Sequence, residues 1–204
     1  MKLIYAGASP FVRIVMVVLE EAGQRDNVEI IDGMGSPVAP NKNALAANPV
    51  GKIPCLVLDN GSPLYDSRVI TRYLNTAFKQ NLYPTGEKEW ETLTLEAHVN
   101  AMLDAAVLCV YETRCRNEHE RSTDWLVAQR DKMNRGLDAL ENHWMTHLQG
   151  DLDIGHIAVG CALDYLDFRS ELGGWSDWRA ERPNLSNWAN NFLNRASLKA
   201  TAPS

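Results

Sequence analysis

Near residue 80 the hydrophobic pattern of this chain changes period, and the two sides of that change fold by different rules. Before it, short apolar runs alternate with amphipathic segments. LIY (3–5) and VEII (28–31) read as strands; between them Val12, Val15, Met16 and Leu19 share one helical face that stops at Gly23. GMGSPVAPNKNALAANPVGKIP is a long irregular connection with one helical turn at 41–47. CLVL (55–58) and PLY (63–65) flank DNGS, a hairpin signal, and Asp66 and Ser67 then open a helix carrying Ile70, Tyr73, Leu74 and Ala77 on one face. The order is β-α-β-(α)-β-β-α.

After a linker containing Pro84-Thr85-Gly86, only helical periodicity remains. The segment 88–118 shows a stripe through Trp90, Leu93, Ala97, Ala101, Ala105 and Leu108. The segment 122–149 shows another through Leu126, Met133, Leu137, Leu140, Trp144 and Leu148. Asp153 caps a helix running through Ile157, Ala158, Cys161, Ala162 and Tyr165, and Pro183 or Asn184 opens a last helix with Leu185, Trp188, Phe192 and Leu193. The fold class is therefore α/β plus all-α, with a first domain over 1–79 and an all-helical second domain over 87–204. No strand of the central sheet is expected beyond residue 90.

The 204 residues can bury a sizeable core. No apolar run approaches ~18 residues, so no membrane span is expected. MKLIYAGASPFVR, with Lys2 near its start, is followed by Arg13, Glu20 and Glu21 at helical spacing; it reads as a first strand and helix rather than a leader, which points to a cytoplasmic protein. Cys55, Cys109, Cys115 and Cys161 form no CxxC and no zinc spacing; no metal site is expected, and the thiols read as small buried side chains in a reducing compartment. Residues 1–80 carry eight basic and seven acidic side chains, the remainder twelve and nineteen. The acidic second half argues against a nucleic-acid partner.

In ASPFVR (8–13), Pro10 suits the first turn of a helix and Ser9 its N-cap. A hydroxyl at the positive end of a helix caps the backbone, and it can also hold an anion or a thiolate.

Four elements together make the sequence similar to the soluble glutathione S-transferases, in the bacterial manner with serine at the thiol-activating position. They are SPF (9–11), NPVGKIP (48–54), YDSRVITRYL (65–74) and RPNLSNW (182–188), and the likeness covers nearly the whole chain. The resemblance implies a thioredoxin-like first domain that binds glutathione, a helical second domain that contributes the electrophile pocket, and a homodimer. It assigns thiol activation to Ser9 and makes Pro54 a cis-proline that turns the Ile53 backbone outward to glutathione. Asp66 and Ser67 would hold the γ-glutamyl end. Lys52 could reach the glycyl carboxylate and Arg13 the pocket, although both also suit plain solvated or structural roles. The electrophile side would include Phe11, Met102, Tyr111 and Arg114. The ligands implied are glutathione as co-substrate and a small hydrophobic electrophile, with no further cofactor.

One departure stands out. The helix opening at 153 has His156 where the family pattern carries an aspartate, which puts its capping geometry in question; the remaining histidines (98, 119, 143 and 147) read as surface residues. The implied activity is transfer of the glutathione thiolate to an electrophile, as in detoxification. The alternatives are a glutathione-binding regulatory module without turnover, and a glutathione-dependent isomerase or peroxidase on the same scaffold.

Overall fold

The apolar runs of the first eighty residues assemble into one mixed sheet. The computed structural model describes all of residues 1–204. Strands β1 (Lys2–Tyr5), β2 (Glu29–Asp32), β3 (Cys55–Val57) and β4 (Pro63–Leu64) lie in the order β2-β1-β3-β4. β1 and β2 are parallel, and such a pair needs a crossover, which α1 (Pro10–Glu21) supplies. β3 runs antiparallel to β1, with Ile4 beside Cys55; β4 runs antiparallel to β3, with Leu56 beside Leu64. α2 (Lys42–Ala47) precedes β3 and α3 (Ser67–Ala77) follows β4. The sequence gives this order, and adds no warning of the 3-10 turn at Arg25–Asn27.

α1 is buried continuously from Val12 to Leu19 rather than along one face. Its surroundings explain the difference: α3 and the short closing helix α9 (Ala196–Ala200) both pack against it. A helix apolar all round is a core helix.

The other helices are α4 (Glu87–Cys115), α5 (Thr123–His143), α6 (Met145–Leu148), α7 (Ile154–Gly173) and α8 (Pro183–Phe192). The stripe expected on α4 is corrected. Trp90 and Leu108 are 70% and 40% exposed, while Leu95, Val99, Met102, Leu103, Ala106, Cys109 and Val110 are buried. α4 packs against both α5 and α7, so its buried surface is too broad for a single stripe. Glycines permit the close approach: a Cβ at Gly136 of α5 would meet Met102 Cγ at 2.5 Å, and one at Gly155 of α7 would meet Leu95 Cδ2 at 2.7 Å. At 29 residues α4 is long and apolar enough to cross a membrane, contrary to expectation, but more than half of that apolar window is buried inside the protein. The stripe over 122–149 is also broken, at Trp144, between α5 and α6.

α8 begins with Pro183 at its first turn and no capping side chain of its own. Glu141 of α5 does the work instead, accepting from the Leu185 N–H at 2.7 Å and the Asn184 N–H at 3.2 Å. Buried Arg182 joins the same region through Asp138, at 2.7 Å, and the Trp178 carbonyl, at 3.0 Å.

The chain forms two compact units. The first comprises Met1–Tyr83 with Ala196–Ser204, the second Pro84–Arg195. The boundary read from the sequence assigned the whole tail to the helical domain. The tail groups with the first unit because α9 bonds to α1: Arg13 donates to the Leu198 carbonyl at 3.1 Å, and Ser197 Oγ bonds the Glu21 carboxylate.

Candidate functional site

Strand direction alone gathers three loops of the first unit. Ser9 follows the C-terminal end of β1. Because β3 is antiparallel to β1, Lys52, Ile53 and Pro54 enter β3 at that same end, beside Ile4 and Tyr5. β4 reverses again, so Tyr65, Asp66 and Ser67 leave β4 there too. The sheet thus brings Ser9, Ile53 and Asp66-Ser67 to one end.

Ser9 caps α1, its Oγ accepting from the Val12 N–H at 3.3 Å, with Pro10 next in the first turn. That bond uses an oxygen lone pair and leaves the hydroxyl proton unspent. A serine can therefore cap and still donate to an anion at the helix N-terminus.

The Ile53–Pro54 bond is cis. The Ile53 side chain packs beside Ile4, Ala44 and Cys55, and its backbone N–H and C=O make no hydrogen bond within the chain. The loop is fixed from behind by Asn48, whose Nδ2 donates to the Lys52 carbonyl at 2.9 Å, and by Gly51 at φ +67°, a conformation that favours glycine. Lys52 itself points into solvent.

Asp66 caps α3, accepting from the Arg68 N–H at 3.1 Å and from its guanidinium at 3.0 Å. Burial works against ionisation of this carboxyl, but the bonds and charge of Arg68 and the Val69 N–H outweigh it, so its pKa lies below the ordinary value. Asp66 is thus an anion with spare lone pairs. Ser67 is buried at the first position of α3, where a helix N–H has no intrahelical partner. Together these loops offer a hydroxyl donor, a strand-like backbone edge, a carboxylate and a helix N-terminus.

The other sequence-derived residues divide. Arg13 is 4% exposed and held by α9, which accounts for it structurally. Phe11 is half-buried on α1 in the first unit. In the second unit Met102 is a core residue, 4% exposed and packed on Gly136, so it is withdrawn as a pocket residue. Tyr111 is half-buried and Arg114 exposed, toward the end of α4. Burial pushes the Tyr111 phenol above its ordinary pKa, with Cys115 adding to the rise and Arg114 opposing it.

Histidine is where sequence reasoning missed most. His147, expected at the surface, has a side chain only 9% exposed, and half-buried His98 lies 3.0 Å from the Gly136 carbonyl. His147 Nε2 and His156 Nδ1 each lie 2.7 Å from a carboxylate oxygen of Asp153, while Thr92 Oγ1 donates to the same carboxylate at 2.7 Å. His156 Nδ1 also lies 3.3 Å from the Asp153 N–H. One nitrogen cannot accept there and donate to the carboxylate in a single tautomer. The 2.7 Å contact marks the Nδ1 proton as donated to Asp153, and the imidazole stands over the N-cap in place of the expected carboxylate. The capping geometry in question is therefore preserved: Asp153 Oδ1 accepts from the His156 N–H at 3.2 Å. Donor atoms of His147, Asp153 and His156 lie within 4.8 Å of one another, the spacing of a metal-ligand set. Their contacts are hydrogen-bond distances, and they read as a buried polar cap. Asp153 is held down to about 2: burial opposes ionisation, but the His156 and Thr92 hydrogen bonds and the two imidazoles prevail.

Known proteins match this chain in both of its units. Residues 8–77 match the glutathione S-transferase N-terminal domain and residues 96–191 the glutathione S-transferase C-terminal domain. The chain is 32% identical over 210 residues to the uncharacterized GST-like protein YibF of Escherichia coli K12, covering all of this chain and 98% of that one. A glutathione transferase family member from Pseudomonas fluorescens Pf-5, solved with bound glutathione, is 43% identical, with a TM-score of 0.95 over all of this chain and 98% of that chain. A Pseudomonas fluorescens Pf-5 family member solved with S-(propanoic acid)-glutathione is 41% identical, with a TM-score of 0.90 over 100% and 99% of the two chains. A glutathione S-transferase from Methylobacillus flagellatus KT with glutathione bound is 33% identical, with a TM-score of 0.85 over 100% and 99%. A thioredoxin-like sheet domain, an all-helical domain and matches along most of its length make this chain a member of the glutathione S-transferase family.

Proposed function

We propose that the protein is a glutathione transferase that binds glutathione at the Ser9, Ile53 and Asp66-Ser67 loops and activates its thiol for attack on a small electrophile. The observation that carries this reading is the convergence of those loops at one end of the sheet with their hydrogen-bonding capacity unspent. Each part matches a part of the tripeptide. The anionic Asp66 receives the γ-glutamyl ammonium, and Ser67 with the N-terminus of α3 receives its carboxylate. The Ile53 backbone pairs with the cysteinyl residue as an added strand would. Lys52 is within the loop that would carry the glycyl carboxylate.

The chemistry then falls to Ser9. A free thiol has a pKa near ~8.5, and lowering it by about two units takes about 2.7 kcal/mol of preferential thiolate stabilisation. The Ser9 hydroxyl proton and the N-terminus of α1 supply donors on that scale. The thiol proton leaves to solvent, and the thiolate forms the new carbon–sulfur bond with the positioned electrophile, either breaking an activated π bond whose carbanion then takes a proton from solvent or displacing a leaving group that departs with the bonding pair. Serine here offers no thiol of its own, so a mixed disulfide with the protein is not part of the cycle. Bound glutathione in the 43% and 33% identical relatives supports the ligand assignment.

We also infer a homodimer, supported by exposed Tyr65, Val69 and Tyr73 in the first unit, and a cytoplasmic detoxification setting, which suits four free cysteines. The deciding experiment is calorimetry with glutathione beside a turnover panel of electrophiles and peroxides. Saturable binding with electrophile conjugation supports the transferase. Binding without turnover makes the protein a regulatory module, and peroxide or isomerase turnover alone moves it to the third class. Sedimentation velocity at micromolar concentration tests the dimer, which a stable monomer would refute.

A further inference from the structure

Asn60 is the one asparagine of this chain that is followed by glycine, and it stands at the tip of the β3–β4 hairpin. There the Leu58 N–H donates to the Ser62 carbonyl and the Gly61 N–H to the Leu58 carbonyl, each at 2.9 Å. The loop is therefore the three residues Asp59-Asn60-Gly61, with Gly61 at φ +85° in the left-handed position that ends such loops. Asp59 to Pro63 are all exposed, and a Cβ at Gly61 would meet nothing within 4 Å. The Asn60 carboxamide is nevertheless not loose. Its Oδ1 accepts from the Ser62 N–H at 2.9 Å. That bond turns the side chain toward the backbone that follows it, and it polarises the amide carbonyl so that its carbon becomes more electrophilic.

These conditions favour attack on the asparagine amide by the next backbone nitrogen. The Gly61 nitrogen bonds to Asn60 Cγ as its proton passes to solvent. The carboxamide nitrogen departs with the bonding pair, takes up a proton and leaves as ammonia. Water then opens the five-membered succinimide at one of its two carbonyls. Opening at Cγ gives aspartate; opening at the backbone carbonyl gives isoaspartate, whose main chain runs through Cβ and is longer by one methylene. Nothing is oxidised or reduced. Glycine matters because a side chain at 61 would crowd the attacking nitrogen and narrow the conformations open to it. The step gives up the Gly61 bond to the Leu58 carbonyl, at a solvated loop tip where water replaces it. Asp32-Gly33 has a similar pairing without the freedom. The Gly33 N–H is bonded to the Tyr5 carbonyl at 2.7 Å, and a Cβ there would meet Ile4 Cγ2 at 2.7 Å. Both Asp32 carboxylate oxygens are also held, by the Met34 N–H and by Asn41 Nδ2.

We propose that Asn60 is a deamidation site whose isoaspartate product loosens β4, the strand that delivers Asp66 and Ser67. β4 is two residues long, and its whole ladder is Leu56 beside Leu64 and Val57 beside Pro63. An extra methylene at the turn shifts that register with little pairing to resist it. Asp66 is only two residues beyond Leu64, so the shift reaches its loop directly. The aspartate product is milder, since it adds a charge at an exposed tip and leaves the backbone path unchanged. The consequence for glutathione rests on the transferase reading, whereas the modification itself does not.

The test incubates wild type and Asn60→Gln in mildly alkaline buffer, maps both by peptide mass spectrometry, and labels isoaspartate with isoaspartyl methyltransferase. The expected result is deamidation at Asn60 an order of magnitude faster than at any other asparagine, with isoaspartate in the same peptide. Asn60→Gln should show none over the same time, because glutamine closes a larger ring far more slowly. The deamidated wild-type fraction, separated by its added negative charge, should melt below fresh wild type and bind glutathione severalfold more weakly. Freshly prepared Asn60→Asp should match wild type in both. Deamidation at Asn60 no faster than elsewhere overturns the site. Fast deamidation with unchanged melting and affinity supports the site and overturns its effect on β4. An equal loss in fresh Asn60→Asp assigns that effect to charge and overturns the backbone mechanism. If fresh wild type binds no glutathione, the transferase reading falls, and the mass map and the melting curve decide the site without it.

Discussion

Two helices of this protein begin with an aspartate N-cap, and they spend it in opposite ways. At α7 the Asp153 carboxylate is taken up internally: Thr92, His147 and His156 surround it, and Asp153 is 6% exposed. At α3 the Asp66 side chain is 55% exposed and held by Arg68 and the Val69 N–H, with the Ser67 N–H at the start of the helix free of an intrahelical partner. The same local device closes a core in one place and leaves a ligand site open in the other. What decides is the surroundings: α7 begins inside a packed helical unit, whereas α3 begins where a two-residue strand ends at the edge of a sheet.

The comparison predicts a large stability effect at one cap and a binding effect at the other. Asp153→Ala leaves two buried imidazoles and a threonine hydroxyl without their shared acceptor, and should cost about 3–5 kcal/mol in denaturant-derived stability. A loss below about 1 kcal/mol would reduce the buried cluster to an ordinary cap. The same residue sets an acid limb. The folded pKa of Asp153 lies below its unfolded value, so its contribution is fully present above about pH 4 and is lost as pH falls toward 2. Tm should therefore drop over that window, and Asp153→Asn should flatten the drop by about 2 kcal/mol; parallel curves would contradict the assignment.

At the other cap, Asp66→Ala and Ser67→Ala should each weaken glutathione by about 2 kcal/mol, as lost bonds to charged groups, while Ser67→Ala leaves Tm nearly unchanged. Removal of the γ-glutamyl group from the ligand should make both variants indistinguishable from wild type; a persisting difference would dissociate these residues from that end of glutathione. Ser9 shares both characters, since it caps α1 and keeps its proton. Ser9→Ala should raise the bound thiol's pKa by about one unit, or ~1.4 kcal/mol, lowering turnover near neutral pH more than affinity. Superimposable thiolate absorbance titrations would leave Ser9 as a cap alone.

The strands, their succession along the chain and the β3–β4 hairpin were legible in the sequence because strand runs, the DNGS turn and the Ser9-Pro10 start are local signals; the order β2-β1-β3-β4 and the convergence of the loops come from pairings between segments distant in the chain. What escaped notice depends on neighbours distant in the chain. No periodicity marks Thr92, His147 and His156 as partners of one carboxylate, because they come from α4, α6 and α7. Met102 looks like a pocket residue until Gly136 is seen to receive it. The α4 stripe failed for a related reason, since a helix packed on two sides has no single apolar face.

The return of Ala196–Ser204 to the first unit makes the helical unit, in effect, an insertion within a discontinuous domain. The chain crosses between the units twice, once after Tyr83 and once after Arg195. A nick at the first crossing would release residues 1–83 from covalent linkage but not from their partner, because the larger fragment still carries the α9 segment bonded to Arg13 and Glu21. The protein is thus laid out as a split pair: two fragments divided at residue 83 should reassemble through α9, whereas residues 1–83 alone would expose the buried flank of α1.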